Sequence, residues 1–98
     1  LEANDNDGRL ALATAAARGD AACVQVLLDA KAQLEARDRN GHTALLAAAK
    51  GGQLACLKLL VEAKANMDAK HVNGSNALML AAEEGHSTCV KYLSNANM

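Results

Sequence analysis

Thr43-Ala44-Leu45-Leu46-Ala47-Ala48-Ala49-Lys50-Gly51-Gly52 is the stretch on which the fold turns. Thr43 is a hydroxyl residue of the kind that caps a helix start, because its oxygen can accept a backbone N–H left open in the first turn. Leu45, Leu46, Ala48 and Ala49 form an apolar stripe at helical spacing, and Gly51-Gly52 ends it. Before the stretch, Asp38-Arg39-Asn40-Gly41 is turn chemistry: Asp and Asn bond back to the backbone, and glycine tolerates positive φ. After it, Leu54 to Ala63 reads as a second helix, with Leu57, Leu60 and Val61 spaced i, i+3, i+4. Asn66 to Lys70 is polar and is expected to run extended into the next turn.

This unit of a turn and two short helices recurs at an offset of 33 residues. Gly8 aligns with Gly41 and Gly74, Ala11-Leu12 with Ala44-Leu45 and Ala77-Leu78, and Ala15-Ala16 with Ala48-Ala49 and Ala81-Ala82. Gly19, Gly52 and Gly85 align, as do Cys23, Cys56 and Cys89, then Leu27, Leu60 and Leu93, then Ala30, Ala63 and Ala96. A lone helix pair cannot bury its apolar side. Stacked copies can, so stability is expected to come from contacts between neighbours. The expectation is an all-α chain of three stacked helix-turn-helix repeats forming one domain over 1–98: repeat 1 at 5–37, repeat 2 at 38–70 and repeat 3 at 71–98. Residues 1–4 align with 34–37 and read as the tail of a preceding repeat. The third copy is more polar, with Ser87 in place of Leu54 and Ser94 in place of Val61, as a C-terminal capping repeat requires. On this reading the array ends near Met98 and extends before Leu1.

Composition agrees with helices packed through small side chains. Alanine and leucine carry the apolar share, Tyr92 is the one aromatic of the Phe/Tyr/Trp class, and there is no proline. Both are good helix formers with little rotamer entropy to lose. The net charge of −1 lacks the basic excess of most nucleic-acid binders. No apolar run approaches the ~18 residues of a membrane span, and the acidic start is unlike a signal peptide. Three cysteines suit a disulfide framework poorly and a reducing intracellular compartment, cytoplasmic or nuclear, well.

The period, together with Thr43-Ala44-Leu45-Leu46-Ala47-Ala48 and Gly52-Gln53-Leu54-Ala55-Cys56-Leu57-Lys58-Leu59-Leu60-Val61, resembles the ankyrin repeat and its T-P-L-H-x-A signature. The resemblance covers essentially the whole chain. It implies an ankyrin-repeat α-solenoid whose repeats are joined by β-hairpin-like turns. The chain departs from the family at fixed places: the signature proline is Ala11, Ala44 and Ala77, and its histidine is Ala13, Leu46 and Met79. The glycine after the second helix is Lys31, Lys64 and Asn97, where a left-handed backbone strains a side chain.

Cys23, Cys56 and Cys89 should lie about 8–10 Å apart in a stack, too far for a disulfide, and are expected in the core as small hydrophobes. His86 and Cys89 are spaced i, i+3 but lack an orienting third group, so a thiol hydrolase is the weak alternative. His42 and His71 fall on turns and are expected to be solvated. No catalytic residue, metal site or cofactor is expected, and the glycines lack the phosphate-loop frame.

The resemblance further implies a binding role. Partners of such stacks usually meet the turn tips and the exposed side of the first helices. That places Asn6, Asp7, Arg9 and Arg18 on the candidate face from repeat 1, and Arg39, Asn40, His42 and Lys50 from repeat 2. Repeat 3 adds Val72, Asn73, Ser75, Glu83 and Glu84. The expected function is a non-catalytic scaffold, monomeric, that binds another protein, with no nucleic acid and no membrane insertion. The alternative is a regulatory or targeting segment of a larger enzyme, channel or adaptor.

Overall fold

The structure is a computed structural model that describes residues 5–31, 33–35, 37, 41–71 and 73–96, with side chains from residue 11 onward. Six helices follow one another: α1 Asp5–Arg18, α2 Ala21–Asp29, α3 Ala44–Gly51, α4 Leu54–Glu62, α5 Ala77–Glu83 and α6 Ser87–Ala96. The cap anticipated at Thr43 is present, and Asn76 supplies a second that the sequence reading did not name. The Thr43 hydroxyl accepts the N–H of Leu46 at 3.3 Å, and Asn76 Oδ1 accepts that of Met79 at 2.9 Å. Gly52 closes α3 in the left-handed region at φ 70°, its N–H donating to Ala49 O at 3.2 Å.

The helices form two layers, α1, α3 and α5 in one and α2, α4 and α6 in the other, each packed on its neighbours and on its own pair-mate. The first layer is made of alanines and leucines because close approach of helix backbones leaves no room for more. In α3, which has a neighbour on both sides, every residue from Ala44 to Ala49 is buried. In α5, covered on one side, only Ala77, Leu80 and Ala81 are. Leu57, Leu60 and Leu93 carry the same core into the second layer. Each fully buried leucine contributes about 1.5–3 kcal/mol by leaving water.

Polar ties cross between pairs as well. Arg37 Nη1 donates to Gly41 O and to Lys70 O, both at 2.7 Å, holding the turns before α3 and α5 at one spacing. Glu35 Oε2 accepts the N–H of Asn66 at 2.8 Å. Lys31 and Lys64 adopt positive φ, 65° and 74°, as their alignment with the family's glycine implies.

Three details differ from the sequence reading. First, α1 begins at Asp5, six positions ahead of the register at which α3 and α5 begin, so Asn6, Asp7 and Arg9 lie on a helix rather than a turn tip. No tie like that of Arg37 is described there, and Asp5 and Asp7 carry the charge that favours a helix start. Second, Asn66–Lys70 is not simply extended. Asn66 Oδ1 accepts the Asp68 N–H at 2.9 Å and Asn66 O that of Ala69 at 3.3 Å, which folds the segment into a turn and buries Ala69. Third, no strand occurs among the described residues; before α5 the turn is closed by His71 N–H to Ser75 O at 2.7 Å and Gly74 N–H to His71 O at 2.8 Å.

Candidate functional site

The described part of the expected binding face resolves into two kinds of residue. Arg18, Lys50, Glu83, Glu84 and Asn73 are exposed. Arg18 and Lys50 occupy the last turns of α1 and α3. A cation there complements the negative end of the helix dipole, so both have a structural reason to be basic. Glu83 ends α5 and Glu84 is its C-cap. Two carboxylates at that end carry the sign the dipole disfavours, by about 0.3–1 kcal/mol each. The Ser75 hydroxyl donates to Glu83 Oε2 at 3.3 Å, which orients one of them.

Two expected contact residues are instead interior. His42 is only 9% exposed and its ring stacks on that of His71, centroids 4.4 Å apart and planes 20° from parallel. The turns that Arg37 draws together carry the two imidazoles with them, which removes both from the solvated role expected of them. Ser75 is buried, with its N–H bonded to Asn73 Oδ1 at 3.0 Å. The turn that presents Asn73 is therefore built by Ser75 and Asn73 together. Arg39, Asn40 and Val72 lie outside the described residues, as do the side chains of Asn6, Asp7 and Arg9.

The cysteines divide. Cys56 and Cys89 are fully buried, and burial pushes both thiols above their ordinary pKa. Cys23 is exposed, which corrects the expectation that all three lie in the core. Its side of α2 points away from α4, where the same column in the next two pairs is covered by the preceding pair. A hydrogen bond from its thiol to Asp20, reinforced by the carboxylate's charge, raises its pKa too. Asp20 Oδ1 also accepts the Cys23 N–H at 3.1 Å, capping α2, and these bonds hold the Asp20 carboxyl below the usual range. His86 does not serve Cys89: its Nε2 meets Lys50 O at 3.0 Å, a tie between the second and third pairs. Gln53 does the same one pair earlier, donating Nε2 to Ala17 O at 3.1 Å.

Sequence reasoning missed one surface. Beside Cys23, a groove of about 520 Å³ opens between α1 and α2, lined by Ala11, Ala15, Ala22, Val26 and Leu27 with Thr14, Arg18 and Asp20 at its edges. Val26 is 65% exposed. The signal lay in the register: Ala11, Ala15 and Leu27 align with buried residues in the second and third pairs, and Val26 with the half-buried Leu59 and Tyr92.

Among the described residues no group of three or more His, Cys, Asp or Glu is placed to hold a metal ion. The exposed charges at the helix termini and the polar ties between pairs describe a helical repeat protein. The family model for ankyrin repeats in three copies matches residues 12–98, and the chain belongs to that family. Such repeats are generally protein–protein interaction modules without catalytic activity. Comparison with curated proteins gives no match. Among the described residues no helix is long and apolar enough to cross a membrane.

Proposed function

We propose that the protein is a non-catalytic scaffold whose solenoid of three repeats binds another protein through the turn tips and the adjoining ends of the first-layer helices. The observation that carries this is the charge at the ends of α1, α3 and α5. Arg18 and Lys50 give a basic stretch, and Glu83 with Glu84 an acidic one, on the same layer of the stack. The acidic pair works against its own helix dipole, so its compensation comes from a partner's basic groups. Asn73 adds an exposed polar side chain at the turn before α5. Asn6, Asp7, Arg9, Arg39, Asn40 and Val72 extend the face on the register of the repeat. A rigid array loses little freedom on binding, and charge pairs at such a rim raise association rate and specificity more than affinity.

The chain acts as a monomer in an intracellular compartment, which its free thiols suit. The test is capture of partners from cell extract with the wild type, with Lys50→Glu and with the double variant Glu83→Lys, Glu84→Lys. Proteins retained by the wild type and lost with both variants, while melting midpoints stay within a degree or two, support the face. Retention of the same set by all three proteins excludes it.

A further inference from the structure

We infer that Asn73 is a modification site: in the folded protein its side-chain amide is lost spontaneously, with the backbone nitrogen of Gly74 as nucleophile and water as the only co-reactant. Asn73 and Gly74 lie in the turn before α5, and both are exposed. Asn73 Oδ1 accepts the N–H of Ser75 at 3.0 Å. That bond spans the Asn73–Gly74 peptide and holds the side-chain carboxamide alongside the Gly74 nitrogen. A Cβ added at Gly74 would meet nothing within 4 Å, so the nitrogen is shielded neither by a side chain of its own nor by a neighbour on that side.

The Gly74 amide loses its proton to solvent base, and its nitrogen bonds to Asn73 Cγ. Negative charge then gathers on Oδ1, where the Ser75 N–H already donates, and a charge-assisted bond there is about twice as strong as the neutral one it replaces. The bond from Cγ to Nδ2 breaks, Nδ2 takes up a proton and leaves as ammonia, and a five-membered succinimide ring remains. Water opens that ring at Cγ to give aspartate, or at the main-chain carbonyl carbon of Asn73 to give isoaspartate. Nothing is oxidised or reduced. Against this, the Gly74 N–H donates to His71 O at 2.8 Å and must first let go. One neutral bond of this kind slows the step about two- to tenfold. The unfolded chain escapes that loss but must fix a free side chain and two free backbone residues, which the turn has already done.

The two products differ. Aspartate keeps an acceptor for the Ser75 N–H and reproduces the Asp7-Gly8 of the first copy. Isoaspartate adds a methylene to the main chain, inside the turn that the His71 N–H closes on Ser75 O at 2.7 Å. Asn66 is a control within the same chain. It too is exposed, and its Oδ1 accepts the Asp68 N–H at 2.9 Å, but the residue that follows is Met67, whose side chain crowds the nitrogen.

The experiment holds the whole chain at mildly alkaline pH, folded in buffer and unfolded in guanidinium, and follows each asparagine by peptide mass with fragmentation. Asn73 should convert at least as fast in the folded protein as in the unfolded chain, giving both products. Asn66 and Asn76 should convert roughly tenfold more slowly or less. Asn73→Asp should melt with the wild type, and the purified isoaspartate form should melt lower. Slower conversion of Asn73 in the folded protein than in guanidinium overturns the inference, because the turn then protects the amide. So does conversion of Asn66 at the rate of Asn73, since the open nitrogen of Gly74 is then not the cause. An isoaspartate form that melts with the wild type overturns the consequence drawn for the turn.

Discussion

Gly52→Ala and Gly85→Ala are chemically the same change at equivalent places, and the structure separates their consequences. Both glycines sit at positive φ, 70° and 76°. An alanine at either position incurs left-handed strain, partly offset by a stiffer unfolded chain, for about 1 kcal/mol net. At Gly85 a Cβ would meet nothing within 4 Å, so the cost ends there. At Gly52 a Cβ would lie 2.6 Å from His86 Nδ1 and 2.8 Å from its Cγ, and the ring must move off. Moving it breaks the bond to Lys50 O, adding about 0.5–1.5 kcal/mol, and more where the carbonyl is left unsatisfied. Gly52→Ala should therefore cost about 2–3 kcal/mol, roughly 1–2 more than Gly85→Ala. For a domain of this size that gap is about 4–16 °C in melting temperature. Thermal and urea melts of the two variants give the comparison. Repeating both in a His86→Ala background closes a double-mutant cycle, where the gap should largely vanish. Equal costs in the wild-type background, or a gap that survives removal of the ring, would refute the argument that His86 reads the absence of a side chain at Gly52.

Other perturbations test other links. Leu45 is 1% exposed at the middle of the first layer; Leu45→Ala should cost about 2–5 kcal/mol in a urea melt, and an unchanged midpoint would remove it from the core. Lys64→Gly relieves the strain of φ 74° at the expense of a more flexible unfolded chain, and should stabilise by up to about 1 kcal/mol; a lower melting temperature would show that the lysine side chain contributes more than its backbone costs. Labelling of Cys23 should keep rising with pH beyond the range where an ordinary thiol levels off, because Asp20 favours the protonated form. Asp20→Asn should then speed labelling at a fixed neutral pH, and a slower or unchanged rate would contradict that cause.

Much of the fold could be read from residues 43–63 and their recurrence. Thr43 and Gly52 bound one helix, Leu57 and Leu60 face the core from the next, and the structure puts the ends within a residue of the expected places. The candidate site was less legible. Lys50, Glu83 and Glu84 are exposed, as the periodicity of a first helix implies for its outer side. His42 is not. Its position on a turn says nothing of a second turn brought alongside it, and the stacking on His71 depends on Arg37 reaching two carbonyls in different repeats. Cys23 failed for the opposite reason. An identical column predicts identical burial only where each member has a neighbour on the same side.

What the chain's own order of residues determined was the helix pair, its period and the direction in which pairs stack, since caps, glycine stops and apolar stripes act over a few residues or repeat at one offset. Which side chains meet water was decided only by the assembled stack. Burial at Cys23, His42 and Ser75 is a property of what lies across an interface, and local pattern carries no term for the neighbour opposite. The same holds for the open groove beside α1: its lining comes from α1 and α2, but its exposure is a property of the first pair's place in the stack.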